Sequence, residues 1–401
     1  MKETTLKPGW KTYRFDQIAI SVTDRVQPAE TELEHYVGLE HLDPESLKIR
    51  RRGVPSDVKG QKLEFRKGDI IFGKRRAYQR KLAVADFDGI CSAHAMVLRP
   101  KTDVVLPEFL PFFMQSDLFM NRALEISVGS LSPTINWRTL AQQEFPLPPL
   151  DEQRRIAKLL TAQENTIEEY FQFSIKAKRL ATAFTDSVFD LSTIRTFLHR
   201  EKSLNELQLI RLGKLCTIQV GYPFKSSEYV KNGIRLMRCS NVGVDETNWA
   251  EDETKYWPAE RYNEFDEYIL RPGDIVIAMD RPFVGGGFKI SEIYEDDLPA
   301  LLLQRVGRFL LSANIDTNFL WCFLHSSSFM LQLLSQQKGT DLPHISKFDI
   351  EGAAIPKIQM DEQVEIGDKY RDLVNTTTEA NKRLNRVQTL KVSFLNELLK
   401  S

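Results

Sequence analysis

The sequence has few cysteines, no long apolar run and almost no net charge. Its four cysteines lie singly, without the CxxC spacing of a zinc or redox site, as is usual for a protein of a reducing compartment. No run of about eighteen apolar residues occurs, and the N-terminal MKETTLKPGW lacks an apolar signal core, so neither a membrane span nor export is predicted. We therefore expect a cytoplasmic protein.

The charges of the chain balance almost completely. The formal net charge is -1, from 54 Lys plus Arg and 55 Asp plus Glu. Such a chain has no general attraction to polyanions, so any nucleic-acid surface must be local. With 42% apolar residues over 401 positions, the chain is long enough to bury two separate cores.

An internal repeat organises the sequence. At a shift of 210 positions the same residue types recur without gaps, as the pairs Phe109/Phe319, Leu110/Leu320, Phe113/Phe323, Ser116/Ser326, Phe119/Phe329, Met120/Met330, Gly129/Gly339, Pro133/Pro343, Ile135/Ile345, Pro146/Pro356, Asp151/Asp361, Glu152/Glu362 and Gln153/Gln363. Upstream, Gly-Asp-Ile at 68–70 matches Gly-Asp-Ile at 273–275, so the length differences fall in loops. Each copy predicts short strands, such as 69–72 and 274–278, and then an amphipathic helix near 107–124 and 317–334. A tandem duplication with approximate two-fold symmetry explains this pattern.

A long helix is predicted after each copy, because the segments beyond Pro149 and Pro356 lack proline and contain almost no glycine. Both show apolar residues at alternating steps of three and four, which predicts a helix-pairing seam formed by Ile156, Leu160, Ile167, Phe184, Ile366, Leu373, Leu384 and Phe394. Gln163, Ser174, Thr377 and Lys391 interrupt the seams. We therefore predict an antiparallel pair within the chain, although heptads alone are equally typical of linker or oligomerisation helices.

The entry into the first long helix resembles that of the specificity subunits of type I restriction-modification systems. This entry is FPLPPLDEQ at 145–153, followed by Arg155, Ile156 and Ala157. The second copy, AIPKIQMDEQ at 354–363, keeps Pro356 and the Glu-Gln pair but lacks the double proline and the following Ile-Ala. The resemblance spans essentially the whole chain as domain, helix, domain, helix.

The resemblance implies a non-catalytic DNA-binding subunit without a cofactor. It predicts an α+β fold with target recognition domains at 1–149 and 204–358, a central spacer helix region at 150–203 and a C-terminal spacer helix at 359–401. Each domain would read one half of a split target in double-stranded DNA. The helices would set the spacing and dock two methyltransferase subunits, with which restriction subunits can associate.

The most basic stretch follows the predicted strand at 69–72. As candidate DNA contacts it offers Lys74, Arg75, Arg76, Tyr78, Gln79, Arg80 and Lys81. Arginine suits guanine edges and glutamine suits adenine, whereas lysine mainly meets phosphates. A solvated hairpin tip is the alternative interpretation.

The equivalent stretch of the second copy is less basic and rich in glycine; its candidates are Arg281 and Lys289, and a flexible hairpin is the alternative. The paired turns Gly129-Ser130 and Gly339-Thr340 are further candidate contacts, although helix capping would also explain their glycines. Secondary candidates are Lys48, Arg50, Arg51, Arg52, Arg235, Arg238, Arg305 and Arg308, of which half could be ordinary surface charges.

Two other functions are the alternatives: a catalytic nucleic-acid enzyme and a coiled-coil adaptor. A methyltransferase would show an Asn/Asp-Pro-Pro-aromatic turn and a glycine-rich cofactor loop, and neither occurs; Asp245 with Glu253 and Lys255 imitates a nuclease spacing once, as chance allows. A coiled-coil adaptor that binds proteins would share the heptads but would not need the basic stretch. We therefore predict DNA recognition rather than catalysis.

Overall fold

The computed structural model describes residues 6–189, 208–285, 287–335 and 344–400. The chain divides into two compact units: unit 1, Met1–Phe173 with Ala380–Ser401, and unit 2, Ser174–Glu379. Each unit therefore combines one copy of the repeat with parts of both long helices. The predicted boundary at 203/204 lies outside the described residues.

Unit 1 contains two four-stranded sheets and a two-stranded ribbon. Its strands are β1 (Lys11–Arg14), β2 (Ala19–Val22), β3 (Arg25–Val26), β4 (Tyr36–Val37), β5 (Lys62–Phe65), β6 (Ile70–Gly73), β7 (Leu82–Val84), β8 (Gly89–Cys91), β9 (Ala95–Pro100) and β10 (Glu144–Leu147). The sheet orders are β2-β9-β6-β7 and β3-β5-β8-β4, and β1 pairs with β10. The short helices are α1 (Phe15–Ile18), α2 (Leu110–Gln115), α3 (Asp117–Glu125) and α4 (Trp137–Ala141), and the long helix α5 (Leu150–Val188) begins here.

Unit 2 has a related arrangement, with a five-stranded sheet, a three-stranded sheet and two ribbons. Its strands are β11 (Leu209–Arg211), β12 (Cys216–Val220), β13 (Ile234–Met237), β14 (Val244–Asp245), β15 (Tyr256–Trp257), β16 (Ile275–Ala278), β17 (Phe283–Val284), β18 (Gly287–Phe288), β19 (Ile290–Glu292), β20 (Ala300–Leu302), β21 (Val306–Leu311) and β22 (Ala354–Pro356). The sheet orders are β12-β21-β16-β19-β14 and β15-β13-β20, with ribbons β11-β22 and β17-β18. The helices are α6 (Thr317–Leu324), α7 (Ser327–Ser335), α8 (Lys347–Glu351) and the long α9 (Met360–Leu398).

The two predicted strands are central in their sheets. β6 lies between β9 and β7, and β16 lies between β21 and β19. All four residues of each strand are buried, as continuous apolar runs predict for interior strands. The α+β fold with two related mixed domains is therefore confirmed.

Each predicted amphipathic helix is in fact two helices, because a serine interrupts it. Ser116 is extended and its hydroxyl accepts a hydrogen bond from Phe119 N, which caps α3. Ser326 accepts in the same way from Phe329 N at the start of α7. The prediction of one continuous helix was wrong, since an N-cap hydroxyl ends one helix and starts the next.

The glutamine of the recurring Asp-Glu-Gln triplet ties each long helix to its own unit. Gln153 is buried, accepts from Leu106 N and donates to the carbonyls of Val104 and Pro148. Gln363 makes the equivalent three bonds to Asp316 N and to the carbonyls of Asn314 and Ile358. The motif therefore satisfies partly buried backbone groups before α2 and α6 and at the start of each long helix.

The long helices pair in both units. In unit 1, Ile156 and Leu160 of α5 share one apolar core with Leu395 of α9. In unit 2, Phe184 of α5 stacks on Tyr370 of α9 with ring centroids 6.5 Å apart. Because the start of one helix meets the end of the other, the pair is antiparallel as predicted.

Most of the predicted seam faces inward. Ile156, Leu160 and Ile167 are buried, Phe184, Ile366 and Leu373 pack half-buried against the core of unit 2, and Leu384 is half-buried. Phe394 differs, because it is exposed whereas the adjacent Leu395 is buried. From Lys391 onward the buried stripe advances by steps of four, through Leu395 and Leu399, and not by the heptad step of three.

Lys391, which interrupts the predicted seam, belongs to a buried polar cluster in unit 1. Its Nζ lies 2.5 Å from Glu164 Oε2 and 3.0 Å from Gln115 Oε1, and Glu164 Oε1 accepts from Leu47 N. The side chains of Lys391 and Glu164 are only 3% and 6% exposed. At the repeat-equivalent positions, unit 2 has Ala181 and Val374, so the two units differ at this point.

None of the helices in the described ranges is long and apolar enough to cross a membrane.

Candidate nucleic-acid interface

The basic stretch of unit 1 forms a tight turn after β6. Arg76 and Arg80 flank a short 3-10 helix, Ala77–Gln79, and both have left-handed backbones, with φ of 56° and 50°. This conformation is uncommon for residues other than glycine, so the surrounding contacts must hold it. The stretch is thus a fixed turn that connects the antiparallel strands β6 and β7.

Two of its cations serve unit 1 itself. Arg80 forms ion pairs with Glu45 and Asp117, and it also donates to the carbonyl of Gln115. Lys81 Nζ donates to the carbonyl of Leu39 at 2.7 Å. These contacts hold the turn in place: two carboxylates neutralise Arg80, whereas a backbone carbonyl orients Lys81. Gln79 is half-buried.

Lys74, Arg75 and Arg76 are different, because no carboxylate of the described chain lies within ion-pair distance of them. Arg75 Nη1 lies 3.2 Å from His94 Nε2, and Arg76 Nε donates to Ser132 Oγ. Burial lowers the pKa of Lys74, with a smaller contribution from Arg25. Burial also lowers the pKa of His94, helped by Arg75 and Lys74. The turn therefore carries uncompensated positive charge.

The loop 127–134 lies directly against this turn. Ile135 N donates to Lys74 O at 3.0 Å, and Arg76 N donates to Pro133 O at 2.8 Å. Gly129 has φ of 114° and lies beyond the end of α3 at Glu125, so it shapes the loop rather than capping the helix. We call the turn 74–78 together with the loop 127–134 the unit 1 surface.

Apolar side chains are exposed on the unit 1 surface. Leu131 is 91% exposed, Val128 75% and Tyr78 53%, beside the polar loop residue Ser130. Exposed apolar groups next to unpaired cations fit a ligand with both phosphates and apolar base edges, such as the thymine methyl.

The same two segments meet in unit 2. Ile345 N donates to Met279 O at 2.9 Å, just as Ile135 N donates to Lys74 O, and Arg281 has a left-handed backbone like Arg76. Asp280 and His344 form an isolated antiparallel β-bridge, as Arg75 and Thr134 do in unit 1. We call Met279–Lys289 with Arg305 and His344 the unit 2 surface. Gly339 and Thr340, the predicted contacts of the adjoining turn, lie outside the described residues.

The unit 2 surface differs in charge. Asp280 Oδ1 lies 2.6 Å from His344 Nδ1, and Oδ2 accepts from Arg305 Nη1. Burial alone would raise the pKa of Asp280, but hydrogen bonds from Arg305 and His344 lower it overall. Arg281 is exposed, whereas Lys289 is half-buried and burial lowers its pKa. Among the side chains that the structure describes, no group of three His, Cys, Asp or Glu residues could hold a metal ion.

Two of the secondary candidates, Arg50 and Arg308, are engaged within their own units. Arg50 pairs with Glu168 and Asp43 and stacks on Phe171, and Arg308 is buried against Asp274. Another secondary candidate, Arg305, contacts the predicted stretch 279–289 through its hydrogen bond to Asp280. Its position just before β21 could not be matched from the sequence, because the repeat register changes there. The pairing of residues 74–76 with 133–135 was equally hidden from local patterns.

Comparison with known proteins agrees with this duplicated arrangement. A family model described as the type I restriction modification DNA specificity domain matches residues 53–174 and 205–389, one segment in each copy. The type I restriction enzyme MjaVIII specificity subunit of Methanocaldococcus jannaschii is 28% identical over 343 residues, which cover 83% of this chain and 75% of that protein. The EcoAI specificity subunit of Escherichia coli is 35% identical over 166 residues, 41% of this chain and 28% of that protein. The S subunit of a type I restriction-modification system from M. genitalium has a similar fold, with a TM-score of 0.58 at 17% identity over 99% of this chain and 98% of that one.

Proposed function

The chain belongs to the type I restriction modification DNA specificity family, and we propose that its two units read the two halves of a split DNA target. As a member, it is the DNA-recognition subunit of a type I restriction-modification system and not an enzyme in its own right. The proposal goes further by assigning one half-site to each unit and the contacts to the two surfaces.

One observation carries the assignment. The fold brings the same two segments together in both units through equivalent backbone hydrogen bonds, yet the side chains that they present differ. Arg75 in unit 1 corresponds to Asp280 in unit 2. A constant backbone with different side chains is what two readers of different half-sites require, because sequence is read by side chains on base edges.

The two surfaces would divide their contacts differently. Lys74, Arg75 and Arg76 give unit 1 three cations for phosphates or a guanine edge, next to exposed Tyr78, Gly129 and Ser130. Unit 2 would use Arg281 and Lys289 to contact the phosphates of the DNA backbone, and it has fewer unpaired cations than unit 1. Arg80 and Lys81 would support the turn from inside, although the sequence predicted them as direct contacts.

We further propose that the α5–α9 pair fixes the gap between half-sites and docks two methyltransferase subunits, with restriction subunits joining through that complex. A duplex adenine must be flipped into a separate pocket before methylation, so the chemistry belongs to the partners. Two copies of the repeat offer two equivalent docking surfaces. The near-neutral net charge of the chain is consistent with this proposal, because the partner subunits can supply part of the electrostatic contacts to the DNA phosphates. Action on DNA also supports the predicted cytoplasmic location.

Exchange of domains tests the assignment. The chain is assembled with its cognate methyltransferase subunits, and the methylated sequence is determined by methylome sequencing. Replacing residues 1–149 with those of a relative should change one half of the target only, and replacing residues 204–358 should change the other half. A change in both halves after either exchange would contradict the division between units.

The partner assignment has a separate test. Native mass spectrometry of the assembled complex should show two methyltransferase subunits for each chain, and the purified chain alone should transfer no methyl group. A one-to-one complex that methylates both strands would refute the proposed stoichiometry. Methyl transfer by the chain alone, retained through further purification, would refute the division of labour.

A further inference from the structure

Three positions come together at the same place in both units. They are the second residue after the central strand, the residue just before β9 or β21, and the residue that bridges to the first. In unit 1 they are Arg75, His94 and Thr134. In unit 2 they are Asp280, Arg305 and His344.

The unit 2 set contains an arginine that is exposed and yet fixed. The side chain of Arg305 is 66% exposed, but its Nη1 donates to Asp280 Oδ2. The Arg305 backbone is left-handed, with φ of 68°, and its carbonyl accepts from Met279 N and from Cys239 Sγ, both at 2.8 Å. Backbone and guanidinium are therefore both held before any ligand arrives.

The carboxylate that holds Arg305 is itself oriented. Asp280 is only 27% exposed, and its other oxygen lies 2.6 Å from His344 Nδ1. A carboxylate gripped on both oxygens cannot rotate to follow a moving guanidinium. The remaining N–H groups of Arg305 are thus presented in one plane, at a reduced cost in side-chain entropy.

The chemistry of this set favours a base edge over a phosphate. The Asp280 carboxylate beside Arg305 repels phosphates and offsets the positive charge that would attract them. Guanine presents two acceptors, N7 and O6, side by side in the major groove, and the planar fork of arginine matches them. Lysine can also reach these two acceptors, but its flexible ammonium lacks the rigid, planar fork of arginine.

We propose that Arg305 reads a guanine in the half-site recognised by unit 2, with Asp280 as its positioning residue. This inference rests on the proposed function and adds a base and a pair of residues to it. Unit 1 has different side chains at these positions, with Arg75 in place of Asp280 and His94 in place of Arg305. Unit 1 should therefore prefer a different base at the equivalent position of its own half-site.

The test uses the assembled complex with its methyltransferase subunits and a DNA library randomised in the half-site assigned to unit 2. Arg305→Ala should lower the preference for guanine at one position by ~5- to 150-fold, equivalent to ~1 to 3 kcal/mol. Arg305→Lys, which keeps the charge but lacks the rigid fork, should lower it less. Asp280→Asn, which keeps the size but removes the charge, should relax the same position more weakly. The half-site of unit 1 should stay unchanged in all three variants.

The outcomes separate the possibilities. Full guanine preference in Arg305→Ala would overturn the inference in favour of a phosphate contact. If the Asp280→Asn variant lowers methylation equally on all sequences and has a lower melting temperature, Asp280 has only a structural role. That result would also overturn the inference. Failure of the wild-type complex to methylate a split sequence would instead refute the proposed function, so the two failures remain distinguishable.

Discussion

Replacing Lys391 by methionine tests how the two long helices are held together. The substitution nearly keeps the length of the side chain but leaves the Glu164 carboxylate buried, where it still accepts a hydrogen bond from Leu47 N. Removing one partner of a buried ion pair costs about 3 to 5 kcal/mol, because the other charge stays buried without compensation. For a unit of this size each kcal/mol lowers the melting temperature by roughly 2 to 4 °C, so we expect a loss of about 6 to 20 °C.

Lys369→Met is the matched control. It makes the same substitution in the same helix, but the pair of Lys369 with Glu365 is exposed, at 60% and 66%. Exposed pairs contribute about 0 to 1 kcal/mol. The melting temperature of both variants can be measured by scanning calorimetry on the full chain.

The double variant Glu164→Gln/Lys391→Met completes the experiment. Glutamine still offers an oxygen to Leu47 N, and no buried charge is left unpaired. The double variant should therefore be more stable than Lys391→Met by about 1 kcal/mol or more. Equal losses in Lys391→Met and Lys369→Met, or a double variant less stable than Lys391→Met, would refute the reasoning.

Three further predictions concern DNA affinity, spacing and the glutamine contacts. Replacing Lys74, Arg75 and Arg76 by alanine should weaken DNA binding by the complex, measured by fluorescence anisotropy, and should lower the dependence of log K on log salt concentration by about one per lost phosphate contact. Arg80→Ala should instead lower the stability of the fold. A wild-type salt dependence in the triple variant would contradict DNA contact by the unit 1 surface. The spacing role is tested by inserting one heptad after Ala177 in α5 and one after Thr377 in α9, which lie opposite each other by the Phe184–Tyr370 pairing. The unread gap between the half-sites should lengthen by ~10 Å, or about three base pairs, as measured by methylome sequencing. An unchanged gap would contradict the spacing role. Gln153→Ala should cost about 1 to 3 kcal/mol in denaturant unfolding, because it leaves partly buried backbone groups without their partner, and Gln363→Ala should cost as much. The exposed Gln172→Ala should cost little, and equal small losses in all three variants would contradict that role.

The repeat and the heptads predicted the architecture well, because they report burial along the chain. The central strands β6 and β16, the antiparallel helix pair and the duplicated order of elements all followed from apolar patterns. The break at Ser116 was missed, since a serine inside an amphipathic stretch predicts a cap only when its hydroxyl meets the right backbone group. Phe394 was placed on the wrong side of α9 because a strict heptad does not describe this end of the helix.

The sites were harder to predict because they depend on contacts between distant residues. The sequence shows five cations between Lys74 and Lys81, but it does not show that Asp117 and the Leu39 carbonyl engage Arg80 and Lys81. Nor does it show that Asp280 holds Arg305, which comes 25 residues later along the chain. Composition located the unit 1 surface, and tertiary contacts decided which of its charges remain available.

The buried Lys391–Glu164 pair also bears on which helices can associate. Because the repeats are similar, α5 of one molecule could in principle lie against α5 of another, and likewise α9 against α9. In such pairs Glu164 would face Ala181, and Lys391 would face Val374, which are the repeat equivalents of the missing partners. Each exchange would bury an unpaired charge at a cost of several kcal/mol. A single asymmetric ion pair thus makes each helix of a duplicated protein recognise the other and reject a copy of itself.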